Sequence, residues 1–163
     1  MKFQPARHCI RCGTPVVERF IHARQRPVCP ACGWIHFSDP KVAVEILVEL
    51  DGKILLVQRL NDPGKDQWSL PGGYMDSDES PAAAAERECL EETGLEVRVT
   101  RLLAVMQDRE FPNSADVVIA YAASVLGGVL RGGDDAGQAV FFPRDNLPPI
   151  AFQVARSVLD IHD

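Results

Sequence analysis

Residues 72–95 read GGYMDSDESPAAAAERECLEETGL, and their interpretation decides what the rest of the chain must do. Ser80 suits a helix N-cap, Pro81 the first helical position and Gly94 the residue just past the end. The intervening AAAAERECLEE favours helix. This short helix carries Glu86, Glu88, Glu91 and Glu92. Residues three and four apart share a helix face, so Glu88, Glu91 and Glu92 fall within an arc of roughly 100°. Like charges so placed each cost a few tenths of a kcal/mol. A solvated acidic surface is the plain reading; a cation seat is the functional one. Arg87 reaches Glu91 at i+4, and Ala84 and Ala85 one turn earlier leave room for a ligand on that side. Carboxylate oxygens suit Mg²⁺ or Mn²⁺, and Gly72-Gly73 would let a backbone carbonyl approach. Cys89, alone in the helix, reads as core.

Outward from this helix the pattern is α+β. KVAVEILVEL and KILLVQR read as strands joined by the hairpin signal Asp51-Gly52. WSL is short and extended, and Pro71-Gly72-Gly73 breaks the chain. LEVRVTRLLAVM, DVVIAYAASVL and QAVFFP are strand-like, and IAFQVARSVLDI has the spacing of an amphipathic helix. A mixed sheet between helices is the expected architecture.

The front of the chain is different. Cys9-x2-Cys12 and Cys29-x2-Cys32 are separated by 16 residues and each pair is followed by glycine. This spacing predicts a four-cysteine structural zinc site, with two disulfides as the alternative. Residues 1–41 carry seven Lys/Arg against two acids, the remainder 10 against 21, within a net charge of −6. That asymmetry suggests two modules, 1–40 and 41–163. The acidic body disfavours nucleic acid as the main ligand. With 46% apolar and 25% charged residues, no membrane-length apolar run and no signal-peptide h-region, a cytoplasmic protein is expected.

The spacing from Gly73 through Glu79 to Arg87-Glu88-Cys89-Leu90-Glu91-Glu92-Thr93-Gly94-Leu95 resembles the Nudix box, G-x5-E-x7-R-E-U-x-E-E-x-G-U, with Cys89 in an aliphatic slot. The likeness covers roughly residues 41–163, and the cysteine-rich front resembles the zinc-ribbon subgroup of Nudix hydrolases. It implies a Nudix fold preceded by a zinc ribbon, and Mg²⁺- or Mn²⁺-dependent hydrolysis of a nucleoside diphosphate linked to another moiety. ADP-ribose, NAD(H) and FAD are the expected substrates. Oxidised nucleoside triphosphates, NAD-capped RNA and a non-catalytic nucleotide sensor are the alternatives. It further implies that Glu88, Glu91, Glu92 and the Gly72 carbonyl hold metal, with Glu79 at the edge and Arg87 orienting a carboxylate. Glu88 is also a candidate general base. Asp135 is the expected later-loop acid, ahead of Glu110 and Asp116. The block MQDREFPNS matches the NADH pyrophosphatase block only at Gln107, Phe111, Pro112 and Ser114. Phe111, Tyr74, Tyr121 and Trp68 are candidates to stack on a base, and Arg109 and Arg59 to meet phosphates. A homodimer is expected from the family.

Overall fold

A computed structural model describes residues 6–108, 110 and 115–161. The chain divides into two compact units, Met1–Pro40 and Lys41–Asp163.

The first unit is built on a two-stranded antiparallel ribbon, β1 (Val17–Ile21) and β2 (Arg24–Val28). Before and after it stand two turns of the same design. The Gly13 N–H donates to the Cys9 carbonyl at 2.9 Å and the Gly33 N–H to the Cys29 carbonyl at 3.0 Å. Both glycines have φ near +70°, a conformation a side chain resists. The Cys9 N–H reaches the Thr14 carbonyl as the Cys29 N–H reaches that of Trp34.

The second unit contains a mixed seven-stranded sheet and two helices. Its strands are β3 (Val42–Leu50), β4 (Lys53–Arg59), β5 (Trp68–Ser69), β6 (Gly72–Tyr74), β7 (Leu95–Met106), β8 (Val117–Gly128) and β9 (Ala136–Pro143). Its helices are α1 (Pro81–Thr93) and α2 (Gln153–Ile161). The main path runs β5-β4-β3-β8-β7, with β6 added to β3 and β9 to β4. Among the named strands of the described residues, β3 and β8 are the pair that runs parallel. Asp51 and Gly52 both take positive φ, so β3 and β4 meet through the turn their sequence predicts. The strands then diverge, β3 taking β6 as its partner and β4 taking β9. The GG stretch read as a chain break is therefore a short strand: Gly72 and Gly73 pair with Glu45 and Val44. A Cβ on Gly72 would collide with the Val44 carbonyl, so only glycine fits this register.

Strand alternation divides the core in two. Val44, Ile46 and Val48 face α1 with Ala84, Ala85 and Cys89. Leu47, Ile54 and Leu56 face α2 with Ala155, Val158 and Leu159. Ala84 and Ala85 are fully buried, so the room expected beside them for a ligand is filled by the sheet. Cys89 is core as expected, its thiol pushed up to about 11 by burial.

α1 begins where its sequence requires. The Ser80 hydroxyl accepts from the Ala83 N–H at 3.2 Å, and Pro81 opens the first turn. It ends at Gly94, whose φ is +69° and whose N–H returns to the Leu90 carbonyl at 2.9 Å. A Cβ there would strike the Val129 carbonyl. Gly94→Ala therefore meets both strain and a clash. It should destabilise the second unit by about 2 kcal/mol, read as a lower urea midpoint with an unchanged slope.

Candidate functional site

The buried stripe of α1 is mixed: Ala84, Ala85, Cys89 and Thr93 are joined by Glu88 and Glu92. Glu88 is 9% exposed and Glu92 5%, so these two acids are not a solvated surface. Glu91 is the outlying member, its side chain 46% exposed. Glu86 belongs elsewhere. Its carboxylate accepts the Val99 N–H at 2.9 Å and faces Arg98, tying α1 to β7.

Arg87 organises the cluster. Its Nε and Nη2 donate to the two oxygens of Glu79 at 3.1 and 2.7 Å. Nη1 donates to Glu88 at 2.8 Å and Glu91 at 2.9 Å, and Nη2 also reaches the Tyr74 carbonyl at 3.1 Å. All five guanidinium N–H groups are thus used. Glu79 also accepts the Asp76 N–H at 2.9 Å. Hydrogen bonding from Arg87 holds its carboxyl below the ordinary range, and both its oxygens are occupied. In this arrangement Glu79 grips Arg87.

Glu92 turns away from Arg87 and accepts the Gly72 N–H at 2.8 Å, locking α1 to β6. Burial pushes its carboxyl up to about 9 against the Gly72 hydrogen bond, with contributions from a hydrogen bond to Asp135 and from Glu88. Burial also raises Glu88, with Arg87 opposing and Glu91 and Asp135 adding repulsion. A Cβ on Gly73 would lie 2.5 Å from the Glu88 carboxylate. That glycine is an absence that gives Glu88 its space.

Of the three later acids, Asp135 is the one brought to the cluster. Glu110 instead accepts the Gln153 N–H at 2.8 Å, at the start of α2. Asp116 accepts the Lys41 N–H at 3.0 Å. A cavity of about 440 Å³ opens beside the cluster, lined by Gly72, Gly73, Tyr74, Asp135, Arg59 and Phe152 among others. Tyr74 is thus at the cavity, while Trp68 packs edge-on against Phe142 and Tyr121 against the α1-facing core. The Arg59 guanidinium stacks 4.6 Å from the Phe152 ring. Phe111, Arg109, Pro112 and Ser114 lie outside the described residues.

One acid in the cavity wall gave no sign in the sequence. Glu45 of β3 is pushed up to about 8, first by burial and then by Asp108. In KVAVEILVEL it reads as one polar residue among strand residues, and only the ladder to Gly72 shows where it stands.

In the first unit the sulfurs of Cys9, Cys12, Cys29 and Cys32 lie within 4.8 Å of one another. The Sγ pairs Cys9–Cys32, Cys12–Cys29 and Cys12–Cys32 are 3.6, 3.5 and 3.7 Å apart. All are free thiols, at separations a disulfide of about 2.05 Å excludes.

The model of the NUDIX domain family matches residues 39–160. The chain belongs to that family. An ADP-ribose pyrophosphatase of Methanocaldococcus jannaschii is 42% identical over 126 residues, covering 76% of this chain and 74% of that protein. A NUDIX hydrolase structure from Nitrosomonas europaea superposes with a TM-score of 0.84 at 31% identity, covering 94% of this chain and 88% of the other. An ADP-ribose pyrophosphatase structure from Streptococcus suis gives 0.62 at 31% identity, covering 76% and 91%. The protein is a Nudix pyrophosphohydrolase, from a family whose hydrolases depend on divalent metal. No helix among the described residues is long and apolar enough to cross a membrane.

The raised carboxyls fix a pH response. Unfolded, Glu92 and Glu45 titrate near their ordinary 4.5; folded, near 9 and 8. Between these values the folded state holds protons the unfolded state has released. Stability of the metal-free second unit therefore falls as pH rises from about 4.5 to about 9. Glu79, shifted downward, acts only below that window. Urea unfolding in chelator from pH 5.5 to 9 should show this decline, and Glu92→Gln should make it shallower.

Proposed function

We propose that this protein hydrolyses the pyrophosphate bond of ADP-ribose or a closely related nucleoside diphosphate-linked compound, using Mg²⁺ or Mn²⁺. The observation that carries the reading is the acid cluster of buried Glu88 and Glu92 with half-buried Asp135 beside Gly72. It gathers carboxyl groups out of water, and Arg87 compensates only its outer part. Buried like charges are costly unless a cation joins them. The donors are hard oxygens, which fit Mg²⁺ or Mn²⁺.

In this reading Glu88, Glu91, Glu92, Asp135 and the Gly72 carbonyl would hold the cations. Bound divalent cations neutralise the diphosphate and acidify water. Glu88, its carboxyl raised by burial, is placed to take a proton from the attacking water. Arg87 fixes Glu88 and Glu91, and Glu79 fixes Arg87. Tyr74 and Phe152 offer ring surface at the cavity for a base, and Arg59 a charge for phosphate. The ADP-ribose preference is supported by the M. jannaschii and S. suis relatives, which carry that activity in their names.

We take Met1–Pro40 to be a zinc ribbon and Lys41–Asp163 the Nudix hydrolase domain. Four sulfurs about 2.3 Å from one zinc stand about 3.8 Å apart in a tetrahedron, close to the spacing found. With four protein ligands such a zinc is structural. A cytoplasmic setting, where thiols stay reduced, accords with the free cysteines. Exposed Leu102, Val105 and Leu126 on β7 and β8 support a homodimer.

The test is a panel of ADP-ribose, NADH, NAD, FAD, oxidised dNTPs and NAD-capped RNA with Mg²⁺ or Mn²⁺, read as released AMP or phosphate. ADP-ribose should lead, chelator should silence the reaction, and Glu92→Gln should lower kcat by roughly 10³-fold with the fold intact. Turnover surviving in Glu92→Gln would overturn the metal assignment. Separately, elemental analysis should find one zinc per chain. Replacing Cys12 and Cys32 together by Ser should release it and open residues 6–40 to protease, leaving the second unit's core protected from hydrogen exchange.

A further inference from the structure

We propose that Glu45 is a specificity-determining residue, whose carboxyl Oε2 accepts a hydrogen bond from an uncharged N–H or O–H donor on the nucleoside diphosphate substrate. This rests on the pyrophosphohydrolase reading above and deepens it.

Glu45 occupies the middle of β3, where a strand buried on both faces ordinarily carries an apolar residue. Its neighbours Val44 and Ile46 are 1% and 0% exposed. Its Oε2 is out of solvent and has no hydrogen-bond partner among the described residues. A buried acceptor left so is costly, and such a group in a folded protein calls for a ligand or a purpose. This one borders a cavity. Glu45 and Asp108 line the same 440 Å³ space as Gly72, Gly73 and Asp135.

Position identifies the partner's chemistry. Glu45 stands directly across the ladder from Gly72, about 5 Å away in strand spacing. Gly72 and Asp135 mark the end of the cavity assigned to the diphosphate. The group next along the substrate is therefore what meets Glu45. A phosphate is excluded there, because Asp108 adds a second carboxyl to the same wall. Asp108 Oδ1 accepts the Glu110 N–H at 2.9 Å, while Glu45 Oε2 is the buried acceptor without a partner among the described residues. Two parts of such a substrate can donate without charge: the hydroxyls of a ribose and the exocyclic amine of adenine. Both satisfy the same acceptor. A site built around a hydrogen bond rejects the analogue that lacks the donor, since its own buried group is then left unpaired.

The experiment crosses enzyme variants with substrate analogues. Wild type, Glu45→Ala and Glu45→Met, each with Mn²⁺, are assayed for kcat and KM on ADP-ribose. The analogues are inosine diphosphoribose, which lacks the amine, and monodeoxy ADP-riboses lacking one hydroxyl on either sugar. Wild type should disfavour one analogue by roughly 10- to 100-fold in kcat/KM. In Glu45→Ala that preference should shrink to within about 3-fold, with parent and analogue now equally poor. Which analogue is affected tells amine from hydroxyl. A purely structural role would lower all substrates alike. If Glu45→Ala does not fold, Glu45→Met, which keeps the volume and lacks a strong acceptor, carries the comparison and should narrow the same preference. Discrimination unchanged in the variants, or no discrimination by an active wild type, overturns the assignment of Glu45 alone. A wild type inert on every compound overturns the functional reading and this assignment with it.

Discussion

The guanidinium of Arg87 is the constraint on which the rest of the site depends. Glutamates crowded on one helix would repel each other outward into water if nothing held them. Arg87 donates all five of its hydrogen bonds, to Glu79, Glu88, Glu91 and the Tyr74 carbonyl. It therefore joins the helix to the loop before it and to the end of β6 at once. Lysine has one point charge and three donors and could not span these acceptors. The arginine compensates only the outer part of the cluster. Glu92 is left with a backbone amide and another acid, Asp135; burial first, and the neighbouring acids after it, raise its titration.

That shortage is what separates a structural network from a reactive one. A buried salt bridge made only for stability satisfies its charges. Here the side of α1 facing β6 keeps an excess of carboxylate that the fold does not neutralise. The two glycines of β6 add to this by what they lack. Gly72 lets its strand lie against β3, and Gly73 leaves the volume that Glu88 occupies. The backbone of β6 and the acids of α1 are thus held together by main-chain pairing on one side and Arg87 on the other.

Much of this was legible in the sequence, and for physical reasons. Ser80, Pro81 and Gly94 fix the ends of α1 through local chemistry, and local chemistry needs no tertiary partner to be read. Asp51-Gly52 fixes its hairpin in the same way. The cysteine spacing places four sulfurs together because each pair closes within its own turn. The failures were of the opposite kind. Gly72-Gly73 read as a break because a strand of two glycines has no side-chain pattern; its identity comes from β3. Ala84 and Ala85 were given to a ligand because helix geometry tells which residues share a face and not what covers it. Glu86, which helix geometry leaves off the face of Glu88, Glu91 and Glu92, is held instead by Val99 and Arg98.

Glu45 shows where a sequence falls silent about specificity. The reactive acids announce themselves because they share one helix, so their spacing is a local regularity. Other residues that line the cavity come from β3, from the segment after β7 and from the start of α2, and meet only when the sheet forms. Val44, Glu45 and Ile46 are adjacent in the chain but face two cores, and alternation alone turns the one acid among them toward the α2 side. There it borders a cavity that also reaches Gly72, Gly73 and Asp135. The division is a consequence of the architecture. A helix and a glycine pair carry the acid cluster, which can stay fixed, while sheet and loop positions around the cavity can vary without disturbing Arg87. Members of the family that cleave different compounds would then differ at positions such as 45 while sharing the arrangement on α1.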